Sequence, residues 1–364
     1  MKISAAVLRG PEDLYNIEQL ELPEPGAGQI LVRIVASGFC HTDAVPRRAP
    51  ADAAFRPLVT GHEGAGIVER VGADVSSIGA GDHVILSYDS CGECARCLAE
   101  QPFFCDHFVS LNIIGPDQHN RAATDDAGDS VRTRWFGQSS FATYAIANVR
   151  NATVVDKDLP LETLCPLGCG IQTGAGTVAN IFGFVSGQSL LVFGTGGVGM
   201  AAIMMARALG AETIIAVDIK QGRLDTAREC GATHTVLAGT EDVEDIVAQA
   251  VPGGADFSFD TTGRPDILRQ AVDCIRQGGV CAQVGGTEDL VIPAVALNGK
   301  MLTRVIEGNA VPQKFIPQLI GLWKDGLLPL ERIIKTFPLA DINAAEQASA
   351  DGSVIKPVIV PTQA

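Results

Sequence analysis

The stretch Ser189-Leu-Leu-Val-Phe193-Gly194-Thr-Gly196-Gly197-Val198-Gly199 decides the fold. Ser189 to Phe193 reads as a buried strand, and residues 198 to 209, rich in Ala, Met and Leu, read as a helix. The glycines between them form G-x-G-x-x-G in the strand–turn–helix setting that gives the pattern meaning. Gly194 permits the tight turn, Gly196 lets a pyrophosphate approach the backbone, and Gly199 lets the helix pack closely on the strand. Gly197 and Val198 stand at the start of the helix that follows, whose N-terminus offers free N–H groups and a positive dipole end to phosphate, and are expected at the cofactor. Thr213-Ile-Ile-Ala-Val217 reads as the next strand, and Asp218 ends it. A carboxylate there can accept hydrogen bonds from both adenosine ribose hydroxyls and repels a 2′-phosphate, so NAD is expected rather than NADP. Lys220 and Arg223 stand close by and pull the other way. A glycine turn in a nucleotide-free domain is the competing reading, and strand, helix and acid together disfavour it.

The alternation continues outward. Residues 221–230 read as a helix, 233–237, 256–260 and 279–284 as strands, and 241–250 and 265–277 as helical stretches. Alternating strands and helices predict a doubly wound parallel sheet with helices on both faces. Upstream, residues 1 to about 150 carry short strand-like runs broken by Gly and Pro, such as 29–35 and 64–71. That spacing predicts a smaller β-rich or barrel-like domain. Residues 112–134 are polar and aperiodic and read as a surface loop. The tail from about 311 resembles neither half.

A chain of 364 residues is long for one core and suits two domains. Its 40 glycines follow no three-residue period, which excludes collagen and fits an α/β protein with many turns. The net charge of −15 repels nucleic acid and anionic membrane, so neither is an expected partner. The start, MKISAAVLRG, has no apolar core of signal type, and no long apolar run suggests a membrane span, so the cytoplasm is the expected compartment. There the ten cysteines read as metal ligands, nucleophiles or buried small residues rather than disulfides.

Four of them cluster: Cys91-Gly-Glu-Cys94-Ala-Arg-Cys97, then Cys105. Four thiolates satisfy tetrahedral Zn²⁺ and leave no open position, which predicts a structural zinc. An iron–sulfur cluster uses similar spacing, but an NAD domain needs no electron relay. A second set is scattered: Cys40 in Gly38-Phe-Cys-His-Thr-Asp43, His62 and Glu63 in Gly61-His-Glu-Gly-Ala-Gly66, and Cys169 in Pro166-Leu-Gly-Cys-Gly170. Spacing alone does not join these, and a lone Cys or His is more often a core residue. Cys165, Cys230, Cys274 and Cys281 read as core or surface residues, and His83, His107, His119 and His234 have no motif around them.

On these motifs the chain resembles the zinc-containing medium-chain dehydrogenase/reductase family over essentially its whole length. Gly61-His-Glu-x-x-Gly66, with Gly72 and Val75 following, is similar to that family's zinc signature, and the four-cysteine lobe matches at every cysteine. The resemblance implies that Cys40, His62 and Cys169 bind a catalytic zinc, with Glu63 close by or as an exchanging ligand. Three protein ligands leave a fourth position for water or substrate. It further implies a GroES-like catalytic domain over 1–170, completed by 311–364, and a Rossmann NAD-binding domain over 171–310. Two zinc ions per subunit and NAD follow as cofactors. A homo-oligomer is implied, with a tetramer favoured over a dimer.

The same resemblance implies zinc-assisted, reversible hydride transfer between an alcohol carbon and nicotinamide. Thr42 is placed by it to take the alcohol proton, and Asp43 to fix the tautomer of His62. His41 is implied at the pyrophosphate, and Thr173, Val284 and Arg223 at the cofactor. Many relatives end the proton relay with a histidine five residues after the first zinc cysteine; here that position is Val45. Residues 136–144, 168–174 and 306–319 resemble the aryl-alcohol (benzyl alcohol) branch. Phe39 and Tyr88 are candidates for lining an apolar pocket, with core packing as the other reading. The alternatives are a geraniol or other allylic alcohol dehydrogenase, a glutathione-dependent formaldehyde dehydrogenase, and a non-catalytic protein that binds NAD and zinc. The last is disfavoured by the intact ligand set and phosphate loop, and the formaldehyde enzyme by the chain's acidity.

Overall fold

The computed structural model describes residues 1–11, 13–48, 57–114, 122–286 and 288–361. The chain divides into two compact units. The first holds 1–169, 311–317 and 334–364; the second holds 170–310 and 318–333. The tail is therefore shared, because 318–333 groups with the second unit, whereas the resemblance implied all of 311–364 for the first.

The first unit is built from two sheets. One has the order Leu58–Val59, Lys2–Leu8, Asn16–Glu21, Ala123–Thr124, Ser130–Val131. The other has the order Ala152–Val155, His83–Leu86, Glu63–Val71, Gln29–Gly38, Lys356–Val360, Ile334–Pro338, with Tyr144–Asn148 also paired to Gln29–Gly38. Alternating burial along these strands fills the cores, where Ile30, Val32 and Ile34 meet Val68, Val84 and Leu86. Between 311 and 361 the tail carries helices at Pro312–Lys324 and Ile342–Ala350 and strands at Ile334–Pro338 and Lys356–Val360. Its last strand pairs antiparallel with Gln29–Gly38, Val358 opposite Gly38.

The expected surface loop at 112–134 is corrected in its described parts. Ser110–Ile114 is a π-helical turn with Asn112 buried, and 123–131 forms a short hairpin. Ala123, Val131, Thr133 and Arg134 are buried. Apolar residues at the hairpin's inward positions add strands to the first sheet, which polar composition had hidden.

The second unit carries six parallel strands in the order His234–Leu237, Thr213–Asp218, Ser189–Phe193, Ala255–Asp260, Ile275–Gln283, Met301–Arg304. Sequence order reverses between Ser189–Phe193 and Ala255–Asp260, the switch point of a doubly wound sheet. Ser189 to Phe193 is buried throughout, as a central parallel strand must be. Helices Gly197–Ala208, Gln221–Cys230, Val243–Ala250 and Pro265–Asp273 alternate with the strands. The expected helix 265–277 is shorter, since Ile275 already belongs to the next strand and pairs with Ala255. No helix among the described residues is long and apolar enough to cross a membrane.

Candidate active site

The antiparallel register of Gln29–Gly38 and Glu63–Val71 sets Gly38 opposite Glu63. Cys40 follows the end of one strand, and His62 precedes the start of the other. This ladder turns two distant motifs into neighbours. Close approach demands the glycines: a Cβ on Gly38 would lie 1.9 Å from a Glu63 carboxylate oxygen. Gly61 has φ +90°, and a Cβ there would meet Phe141 N at 2.5 Å. Cys169 arrives on the turn after Cys165–Gly168, held by Ser87 Oγ donating to Gly168 O at 2.6 Å.

Cys40, His62, Glu63 and Cys169 each offer one ligand atom, and these atoms lie within 4.8 Å of one another. Asp43 Oδ1 lies 2.8 Å from His62 Nδ1. A carboxylate oxygen accepts, so Nδ1 carries the proton. His62 Nε2 is buried and has no hydrogen-bond partner. Two sulfurs and a buried, otherwise unserved imidazole nitrogen are a donor set that suits zinc. Burial opposes charge on the His62 ring, but the Asp43 carboxylate outweighs it and holds the ring well above the usual imidazole range. The neighbouring Cys169 sulfur holds the Cys40 thiol well below its usual range, against burial. A thiolate beside an imidazole is a site from which a divalent cation displaces the remaining proton.

Glu63 is not aimed at these ligands alone. Lys356 Nζ donates to both of its carboxylate oxygens, at 2.9 and 2.8 Å, and also to Phe39 O at 3.3 Å. Burial pushes the Glu63 carboxyl up, opposed by Lys356. Burial would lower Lys356, but the Glu63 carboxylate outweighs it. Two-oxygen contact with a buried ammonium makes this an ionised pair. The sequence reading missed Lys356. Its signal was a lone cation in the apolar run Lys356-Pro-Val-Ile-Val360. Gln138 was missed too: its buried amide donates to His62 O and Ser87 O and accepts from Gly64 N, tying the zinc motif to its surroundings.

Thr42 Oγ1 lies 3.7 Å from Cys40 Sγ, beside the ligand set. His41 is exposed at the start of the His41–Arg48 turn, and Val45 is exposed as well. Phe39 is corrected as a pocket residue: it packs between Tyr15 and Phe141 in the core. Tyr88 is buried in a cluster with Phe103, Trp135 and Phe136. The Phe136 ring lies 4.5 Å from the His62 ring, inclined 29°.

The lobe cysteines Cys91, Cys94, Cys97 and Cys105 also bring their sulfurs within 4.8 Å of one another. Backbone N–H groups of Asp106 and Cys97 draw the Cys94 thiol down to about 6, while burial pushes Cys105 up to about 12. Four thiolates packed this closely need a cation to coexist. Cys165, Cys230, Cys274 and Cys281 are buried and lie in neither cluster. His119 lies outside the described residues.

In the second unit Gly194 has φ +86°, and a Cβ on Gly199 would meet Gly194 O at 2.0 Å. A Cβ on Gly196 would meet nothing within 4 Å, so the space beside this backbone is open. Gly196 caps the helix that begins with Gly197 and Val198, and no side chain occupies the cap. Asp218 Oδ2 accepts from Thr195 N and Oγ1 at 2.8 and 2.7 Å, and Arg223 lies 4.0 Å from it. Val284 follows strand Ile275–Gln283, its N–H bonded to Asp260 O. Thr173 lies buried on the Gly170–Gly176 helix, which packs so closely on Gly197–Ala208 that a Cβ on Gly174 would meet Val198 O at 2.0 Å.

Two family models match the chain: the alcohol dehydrogenase GroES-like domain over 26–157 and the zinc-binding dehydrogenase model over 197–323. Geraniol dehydrogenase of Castellaniella defragrans is 40% identical, covering 98% of this chain and 97% of its own. The crystal structure of an alcohol dehydrogenase zinc-binding domain protein from Burkholderia ambifaria superposes with a TM-score of 0.96 at 41% identity over all of both chains. Benzyl alcohol dehydrogenase from Acinetobacter calcoaceticus superposes with a TM-score of 0.93 at 37% identity, again over all of both chains. Clustered zinc donors, an open glycine turn between a central parallel strand and its helix, and these likenesses agree: the chain belongs to the zinc-binding medium-chain alcohol dehydrogenases, whose cofactors are NAD and zinc.

Proposed function

We propose that this protein oxidises, reversibly and with NAD, a primary alcohol whose carbinol carbon is attached directly to a π system, a benzylic alcohol first and an allylic one second. The observation that carries the reading is the Phe136 ring lying against His62, which sets an aromatic wall at the metal ligands. The likeness to a benzyl alcohol dehydrogenase supports the first choice, and the likeness to a geraniol dehydrogenase the second. Both relatives' named substrates share the same local chemistry.

Cys40, His62 and Cys169 hold the catalytic zinc in this reading, and Cys91, Cys94, Cys97 and Cys105 the structural one. Zinc supplies Lewis acidity that lowers an alcohol's pKa. NAD supplies the two-electron acceptor. Asp43 keeps the proton on His62 Nδ1, so that Nε2 faces the ligand cluster as a lone pair. Thr42 Oγ1, beside Cys40 Sγ, takes the alcohol proton while releasing its own. With exposed Val45 in place of a relay histidine, Thr42 would hand its own proton on to water, or to the ribose of a bound cofactor. Lys356 neutralises Glu63, so that two thiolates balance the dication without a third negative charge. Gly194, Gly196, Gly197, Val198 and Gly199 would hold the pyrophosphate through backbone N–H groups, Arg223 beside Asp218 would supply a cation at the cofactor, and His41 is the residue we propose as a further pyrophosphate contact. Asp218 would hold the adenosine ribose, and Thr173 and Val284 would contact the rest of the cofactor.

The deciding experiment follows NADH formation with benzyl alcohol, cyclohexylmethanol, geraniol, ethanol and S-hydroxymethylglutathione, with NAD and NADP in parallel. Benzyl alcohol should exceed its saturated analogue cyclohexylmethanol by about 2- to 12-fold in kcat/KM, the discrimination one aromatic contact supplies. Equal rates for these two would overturn the π-system reading, and preference for the glutathione adduct would replace it.

We also propose a homo-oligomer, a tetramer in preference to a dimer. The Met301–Arg304 strand lies on the edge of its sheet; its Met301 is 61% exposed, and Val291 and Val295, in the segment that leads into it, are 85 and 71% exposed. An open strand edge with apolar side chains invites a second copy. Light scattering at the mass of one chain would overturn this. The cytoplasm is the proposed compartment, because six of the ten cysteines sit in metal clusters that need reduced thiols.

A further inference from the structure

The turn that carries Trp135 is held in an unusual conformation. Phe136, Gly137 and Ser139 have φ of 49°, 67° and 53°, and only the glycine adopts such values freely. Left-handed side-chain-bearing residues persist only where their surroundings hold them there. Here Ser139 does so: its Oγ accepts from Trp135 N at 2.8 Å and donates to Val59 O at 2.6 Å. The result is that two consecutive aromatic side chains reach the same histidine by different routes.

Trp135 Nε1 donates to Asp43 Oδ1 at 3.1 Å. That oxygen also accepts from Gly61 N at 2.9 Å and His62 Nδ1 at 2.8 Å, while Oδ2 accepts from Cys40 N at 3.1 Å. Trp135 is the third donor on Oδ1, and it comes from a rigid, buried indole rather than from the local backbone, so it fixes the direction in which that oxygen can meet His62. Phe136 meanwhile covers the face of the His62 ring. One contact restrains rotation about the Nδ1 end, and the other restrains tilt out of plane. Phe136 is itself backed by Trp135 and Phe108, at 5.4 and 6.4 Å between ring centroids.

We propose that Trp135 and Phe136 form a clamp on His62: Trp135 is a positioning residue acting through Asp43, Phe136 one acting on the ring, and together they keep Nε2 aimed at the catalytic metal. The inference rests on the zinc reading of Cys40, His62 and Cys169. A loosely held imidazole is a weaker ligand, and disturbing the groups that orient a metal-bound histidine typically costs about 10- to 100-fold in metal affinity.

The test uses the holoenzyme with cobalt exchanged into the catalytic site. The variants are Trp135→Phe, which keeps a ring and loses the N–H, and Phe136→Leu, which loses the stack. Phe136→Tyr serves as the ring-preserving control. The readouts are the visible ligand-field band of the cobalt site and the rate of cobalt loss to a chelator, with zinc at the four-cysteine lobe reporting on the fold. Trp135→Phe and Phe136→Leu should release cobalt about tenfold faster or more, with a shifted band and the structural zinc retained. Phe136→Tyr should release cobalt at a rate within twofold of the unaltered chain's. Release rates and bands within twofold in both variants would overturn the clamp alone. Loss of the structural zinc along with cobalt in both would show that the turn serves folding, and would overturn it as well. An unaltered chain that takes metal only at the four-cysteine lobe would overturn the catalytic-zinc reading and the clamp together.

Discussion

Lys356 and Glu63, 293 positions apart, form one ion pair in which a single ammonium meets both carboxylate oxygens. Both side chains are buried, at 5% and 0% exposure. They meet because the last strand of the chain pairs with Gln29–Gly38, the strand that also pairs with Glu63–Val71. A buried carboxylate left without its cation is costly, about 3–5 kcal/mol. Lys356→Met should therefore lower stability by roughly that amount in denaturant unfolding. Glu63→Gln placed on top of it should recover a large part, because both charges are then gone. No recovery in the double variant would mean that Lys356 acts through packing rather than through Glu63.

Thr42→Val keeps the shape of the side chain and removes the hydroxyl beside Cys40. Loss of a positioned proton acceptor costs about 10²- to 10⁴-fold. Turnover should fall by about 100-fold or more with two zinc ions per chain still bound, as read by steady-state kinetics and metal analysis. Normal turnover would remove Thr42 from the proton path.

Asp218 is the carboxylate expected at the adenosine ribose. Asp218→Gly should weaken kcat/KM for NAD by about 10- to 100-fold, the worth of charged hydrogen bonds. Use of NADP should rise at the same time, since Lys220 and Arg223 remain and the repelling charge is gone. Thr195 also loses an acceptor in this variant, so a measured thermal midpoint must accompany the kinetics. An unchanged preference for NAD would place the discrimination elsewhere.

Cys105→Ser removes one sulfur from the closed cluster. Metal analysis should fall from two zinc ions per chain to one, and thermal unfolding should move down, because a structural zinc contributes folding energy directly. Two retained zinc ions would show that three sulfurs suffice there. The lobe's sulfurs come from one short stretch, so their meeting is a local property of the chain.

Locality separates what the amino-acid order determined from what folding decided. The glycine turn and the four-cysteine lobe were legible because every contributor lies within a few turns of backbone. Gly194, Gly196 and Gly199 stand between a strand and a helix, and Cys91, Cys94, Cys97 and Cys105 share one loop. The parallel sheet was legible too, since its strands and helices alternate with clear periods. The catalytic cluster was legible only through resemblance, because strand register rather than spacing brings Cys40, His62 and Cys169 together. Lys356 on Glu63, Trp135 on Asp43 and Phe136 on His62 had no local signal of partnership. Phe39 was a pocket candidate from its place beside Cys40, and packing turned it into the core instead. Sequence position determines which residues share a turn; only the paired sheets determine which distant side chains share a buried space. There, out of water, each charge and each ring must find a partner.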